Sequence, residues 1–260
     1  MSAVMIDEYP TQLFETNIFK NFTQNDFNDK FHIDEISGIK MDEAAVSVGQ
    51  LLKNHKLLDL LGVCNIHNHF HLKENEIVLA KASVANDNDS ISHFDINMTS
   101  PSYLHLKATN LDSNMHPVPY MWAYDKQSKM FFALQFFDGS NKEMKDRFQK
   151  LTERSESLIN FYQEFVQLAE NLGLEDNLGI YLLYADIINK KLSTEEFREI
   201  TDTESREQWV YTTPADKFKQ SIPTHWTFSA DCDGIIEVVC MQMCSNKTGT
   251  YHDRVHHKLG

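Results

Sequence analysis

Three histidines alternate in one short run, Cys64-Asn65-Ile66-His67-Asn68-His69-Phe70-His71. Side chains of a strand point to opposite faces with period two. A strand through this run would put His67, His69 and His71 on one face, with Cys64, Ile66, Phe70 and Leu72 on an apolar core face. Neutral imidazole is a good ligand for zinc, iron, copper and nickel. Two Cα atoms of a His-X-His pair are ~6.6 Å apart along a strand, close enough for both side chains to reach one ion. Three in a row span ~13 Å, so a single ion could not hold all three without strand curvature. The expected site is therefore His67 and His69 with a distant Asp or Glu that the sequence does not identify. The competing reading is a polar strand face in water, continued by Lys73.

A second cluster lies near the C-terminus, where Cys240-Met241-Gln242-Met243-Cys244 precedes His252, His256 and His257. Two thiolates and two histidines form a zinc-like ligand set, and Cys240, Cys244, His252 and His256 are its candidates. The set carries a condition. On a straight strand the two sulfurs would be ~13 Å apart, so the chain must break near Met243 for both to reach one zinc. Otherwise Cys240 is a small hydrophobe on a half-buried surface, and the histidines belong to a tail.

Other catalytic signatures are missing. There is no Gly-X-Ser-X-Gly elbow, no His-Glu-X-X-His, no GxGxxG and no phosphate-binding glycine loop. Cys64 faces the expected core, away from the histidines, and Cys232 has no evident base beside it, so neither is favoured as a nucleophile. In the pair His225-Trp226, the tryptophan is expected in the core and the histidine in solvent.

The elements that must position these residues are legible in part. Met41, Ala44, Ala45, Val48, Leu51, Leu52, Leu58 and Leu61 fall at helical spacing, which predicts a helix over 42–61 ended by Gly62. The histidine strand follows, then a turn at Lys73-Glu74-Asn75-Glu76 and a returning strand from Ile77, with further strands expected at 91–97 and 102–108. Tyr120–Tyr124 and Met130–Phe137 read as a hairpin, the second strand apolar on both parities and so covered on both faces. Ser140-Asn141-Lys142-Glu143 resembles a capping box and opens a long helix over 141–172, ended by Gly173. Its stripe from Met144 to Leu172 could be a homodimer seam, but Ile159 and Val166 widen it toward a helix lying on a sheet, the preferred reading. A buried strand over Leu178–Ala185, a short helix from Ser193, an edge strand over Trp209–Thr213 and a hairpin around Asp233-Gly234 complete the pattern. Strands, helix and strands without a βαβ rhythm indicate an α+β fold with a largely antiparallel sheet. The expected organisation is a peripheral arm over 1–40, one domain over 41–245 and a tail over 246–260.

A chain of 260 residues can bury a large core, and 42% hydrophobic residues is a globular composition. The charge, 24 − 38 = −14, argues against nucleic acid or anionic membrane as partner, since both need a cationic footprint. The first residues lack the basic and apolar regions of a signal peptide, and no segment reaches the ~18 apolar residues of a membrane helix. A cytoplasmic location with reduced cysteines is the resulting expectation.

The run Leu61 to Leu72, with the acidic turn Glu74-Asn75-Glu76 and Ile77-Val78 after it, resembles a signature of uncharacterised fungal-type proteins. There a Gly-hydrophobic-Cys-Leu-Leu-His-X-His-Phe-Asp-Leu segment precedes an acidic hairpin. His67 and His69 are the matching positions. His71 stands where Asp is usual, so the resemblance implies a two-histidine feature, and it implies no activity. These readings converge on a soluble intracellular binding or scaffold protein with a candidate metal site, zinc being the candidate ion, and with a protein partner. The alternative is a metal-dependent enzyme using His67 and His69. Whether the chain is an enzyme is not decided by these residues.

Overall fold

In the computed structural model, the chain is described over residues 18–30, 38–82, 104–112, 114–184, 195–214, 221–230 and 234–245. Within these, four helices and ten strands occur. The helices are α1 (Gln24–Asp29), α2 (Gly38–Asn54), α3 (Lys142–Glu153) and α4 (Ser155–Leu172). The strands are β1 (Leu61–Asn65), β2 (Glu76–Ala82), β3 (Leu104–Asn110), β4 (Val118–Asp125), β5 (Met130–Phe137), β6 (Leu178–Leu182), β7 (Glu195–Asp202), β8 (Glu207–Pro214), β9 (Ser221–Ala230) and β10 (Ile236–Ser245).

The strands close into a barrel in the order β1-β6-β4-β5-β2-β3-β8-β7-β10-β9, with β9 returning to β1. Two of the ten pairings are parallel, β2 with β5 and β7 with β10, so the sheet is mostly antiparallel and the fold is α+β. Closure removes both sheet edges. Strands β1, β4 and β6 are buried on both faces where α2 and α3 cover the barrel. Strand β3 alternates buried and exposed positions, as expected where one face meets solvent.

The helices differ from the expectation at their ends. Helix α2 stops at Asn54, not near Leu61. Lys56 adopts a left-handed conformation (φ 58°), its N–H reaches the Lys53 carbonyl at 3.0 Å, and the Leu57 N–H reaches Leu52 at 2.7 Å. That pair of bonds is a Schellman ending. Gly62 serves β1 instead, where a Cβ would lie 2.5 Å from the Tyr181 ring. The 141–172 helix is two helices. Arg154 breaks the ladder, its guanidinium bidentate on Asp59 at 2.6 and 2.8 Å and bonded to the Lys56 carbonyl at 2.7 Å. The N-cap of α3 is Asn141, which accepts the Met144 N–H at 3.1 Å, and not Ser140. Gly173 ends α4 in the left-handed region. The stripe of both helices, including Phe148, Leu151, Leu158 and Phe165, is buried in the chain's own core.

Two strands replace expected features. Residues 195–202 form β7 and not a helix, because β8 and β10 pair along them. The segment around Trp209–Thr213 is not an edge, since β8 pairs with both β3 and β7. Of the arm's phenylalanines, Phe19, Phe22 and Phe27 are buried, and the backbone at Ile18–Lys20 exchanges hydrogen bonds with Phe131. Phe14, Phe31 and the expected strand at 91–97 lie outside the described residues. Among the described residues no helix is long and apolar enough to cross a membrane.

Candidate metal centre

Strand β1 ends at Asn65, so the histidines do not form a straight strand. Residues 66–72 cross toward α1, which holds them. The Asn28 amide accepts the Leu72 N–H at 2.8 Å and donates to the Leu72 carbonyl at 2.9 Å. Asn68 donates to the Phe27 carbonyl at 2.8 Å. Ile66, Phe70 and Leu72 are buried, as the apolar parity of the run implies. The imidazoles do not share one environment. His71 is exposed, whereas the His67 and His69 side chains are only 8% and 4% exposed. The solvated-face reading therefore fails for His67 and His69 and describes His71.

What the two buried histidines meet is Glu199 of β7, which is fully buried. His67 Nε2 lies 3.2 Å from Glu199 Oε2, and His67 Nδ1 lies 2.8 Å from the Asn65 carbonyl. The carbonyl only accepts, so Nδ1 carries a proton and Nε2 is the nitrogen that can turn a lone pair to a cation. His69 Nε2 stands 3.8 Å from Glu199 Oε2 and 3.8 Å from Cys244 Sγ. The parallel register of β10 on β7 explains the thiol's position, because Cys244 and Glu199 are direct partners across it. His67, His69, Glu199 and Cys244 thus each present one ligand atom, all within 4.8 Å of one another, and this group could hold a metal ion. Tetrahedral zinc, with bonds of about 2.0–2.3 Å, sets neighbouring donors roughly 3.3–3.6 Å apart. Side-chain movements of about an ångström would close the set around one ion.

Other groups orient the carboxylate. Gln208 donates to Oε2 and Thr224 to Oε1. His225 Nδ1 is 3.5 Å from Oε1. Thr224 and His225 are consecutive, yet both turn to Glu199. On β10, Gln242 pairs with His225 and Met243 with Pro223, so Thr224 is the extra residue of a β-bulge, which re-aims a side chain. His225 is buried, not exposed as expected from the sequence. The next residue, Trp226, points the other way and donates to Asp42 of α2 at 3.0 Å.

Electrostatics follow from burial and pairing. Burial alone would push the Glu199 carboxyl up, but the His67 charge and hydrogen bonds from His225, His67 and His69 hold it well below the usual carboxylate range. Burial lowers His67, and the Glu199 carboxylate outweighs that and raises it. Burial and the adjacent His67 keep His69 below the usual value, favouring a neutral ring with a lone pair to give. Cys64, also buried, is pushed well above the thiol range by desolvation, which is poor for a nucleophile.

The group adjoins a small cavity of about 20 Å³. Its wall includes Tyr120, Gln135, Tyr181, Gln208 and His225 together with His67 and Glu199. Apart from His67, which follows β1, and Tyr184, just past β6, its lining residues come from strands β3 to β9, so the cavity lies within the barrel.

Of the residues singled out in the sequence, His67, His69 and Cys244 come together. Of the second set, Cys240 pairs with Thr227, and β10 runs on to Ser245 with a register shift between Gln242 and Met243. His252 and His256 lie outside the described residues. The sequence does not single out Glu199, one of 38 acidic residues, and the expectation of a short helix from Ser193 hides the strand that carries it. Read as a strand, the segment would have set Glu199 on the same face as Phe197 and Thr201. No family model, curated protein or solved structure matches this chain, so the reading of the site rests on its own geometry.

Proposed function

We propose that this barrel is a metal-binding protein holding one transition-metal ion on His67, His69, Glu199 and Cys244. The observation that carries the reading is the buried convergence of those four ligand atoms within 4.8 Å. Two imidazoles, a carboxylate and a thiolate favour zinc over magnesium or calcium, which take oxygen ligands. Four protein donors would hold the ion firmly in the barrel, which fits a binding or scaffold role. A thiolate ligand needs Cys244 reduced, in keeping with the intracellular location expected from the sequence. The second reading, a metal-dependent enzyme using His67 and His69, is favoured by one observation, the cavity onto which His67 and Glu199 open.

The test is metal content by elemental analysis and competition titration with a chromophoric zinc chelator. The native chain should take up about one zinc per chain. His69→Ala and Cys244→Ser should each weaken binding by about 100-fold or more, while Cys240→Ser leaves it unchanged. Folded native protein that takes up no stoichiometric zinc, cobalt or iron ends the reading.

A further inference from the structure

The four-donor group accounts for the buried histidines but leaves the barrel cavity unused. Of the donors, His67 and Glu199 belong to the cavity wall, while His69 and Cys244 are not among its lining residues. An ion held by all four would have protein on the His69–Cys244 side and open space on the other. One water needs about 10–15 Å³ of such space. A volume of about 20 Å³ therefore takes a water, or two or three atoms in a row, and not a ring. The cavity wall is also polar enough for such a guest. The Tyr120 hydroxyl donates to Gln135 Oε1 within it, and His225 packs edge-on against Tyr181 with ring centroids 4.9 Å apart. Zinc in catalytic sites can expand from four ligands to five.

We infer that the bound ion keeps one coordination position open to the barrel cavity, where it takes a small exogenous ligand. Water or hydroxide fills the position at rest and exchanges for a linear anion of up to three atoms; ring-shaped ligands are excluded by size. The inference rests on the metal reading above, and a single experiment separates their failures.

The apo protein is loaded with Co²⁺, whose visible ligand-field bands report coordination number and whose thiolate charge-transfer band reports Cys244. Azide should shift the ligand-field bands in a saturable, one-site titration, and imidazole at the same concentration should not. Leu106→Phe, which fills the cavity from β3, should keep the charge-transfer band and weaken the azide response about tenfold or more. If that variant does not fold, the contrast between azide and imidazole on the native chain decides alone. A cobalt-loaded protein blind to azide is a closed four-coordinate site, which overturns this inference and leaves the metal reading standing. An equal response to imidazole also overturns it, because the position then faces open solvent. Absence of cobalt uptake overturns both.

Discussion

Glu199 is the residue on which the site depends. A fully buried carboxylate is tolerated only when hydrogen-bonded and charge-balanced, and Glu199 is approached by Gln208, Thr224, His67, His69 and His225. Removing one partner of a buried charged pair costs more than the pair contributes, because the other charge stays buried without compensation. Glu199→Ala is therefore expected to destabilise even the metal-free protein by about 3–5 kcal/mol, read by urea unfolding. A loss near zero in the apo protein would show that Glu199 matters only through a metal. Cys244→Ser separates the two roles from the other side, since a hydroxyl retains the shape but not the soft thiolate that zinc prefers.

At the scale of elements, the site is assembled by three devices that no single strand supplies. The parallel register of β7 and β10 sets Cys244 opposite Glu199. The bulge at Thr224 aims two consecutive side chains at one carboxylate. Helix α1 clamps the histidine segment through the Asn28 amide. Asn28→Ala removes two hydrogen bonds to the Leu72 backbone and leaves its N–H to find another partner, a cost of about 1–3 kcal/mol. The expected result is faster hydrogen exchange at the Leu72 amide and weaker metal binding, with secondary structure by circular dichroism unchanged. Unaltered exchange at Leu72 would mean the segment is held by its buried Ile66, Phe70 and Leu72 alone.

At the scale of the molecule, ion pairs tie the loops and the arm to the barrel. Arg206 bonds Glu76 through both guanidinium nitrogens, and Lys20 joins Asp125 and Asp26 at 2.7 Å each. The Arg206 guanidinium holds the Glu76 carboxyl below its ordinary value near 4.5. Burial works against Asp125, yet the Lys20 and Ser128 bonds hold it well below the carboxylate range. A depressed folded pKa means that the unfolded chain takes up protons first on acidification. The stabilisation is thus complete above the unfolded value and is lost progressively as the pH falls below it. On the carboxylates' account the melting temperature should fall between roughly pH 4.5 and pH 3, and Glu76→Gln should melt lower at neutral pH with a shallower acid slope. An acid slope identical to the native protein's would remove Glu76 from that account.

What the residues determined alone is the chemistry on offer and the local pattern. His67 and His69 were marked by their spacing, and Cys244 by the thiol chemistry of its cluster. The apolar runs of β4 and β5 announced doubly covered strands, and the 144–172 stripe announced a helical face against the core. These features are legible because they repeat with the period of the element that carries them. The ligand set is not periodic. Cys244 and His69 are 175 residues apart, and Glu199 and His67 are 132 apart. Only closure of the barrel brings them together, by a parallel pairing and a bulge that depend on which strands become neighbours. Helix ends were decided in the same way: at Arg154 the backbone leaves the helix (φ −102°, ψ 31°) where the side chain meets Asp59 and the Lys56 carbonyl. Burial and pairing then did the rest: the Glu199 carboxylate raises His67 against its burial, burial lowers His69, and the surrounding donors turn an ordinary glutamate into the centre of the site.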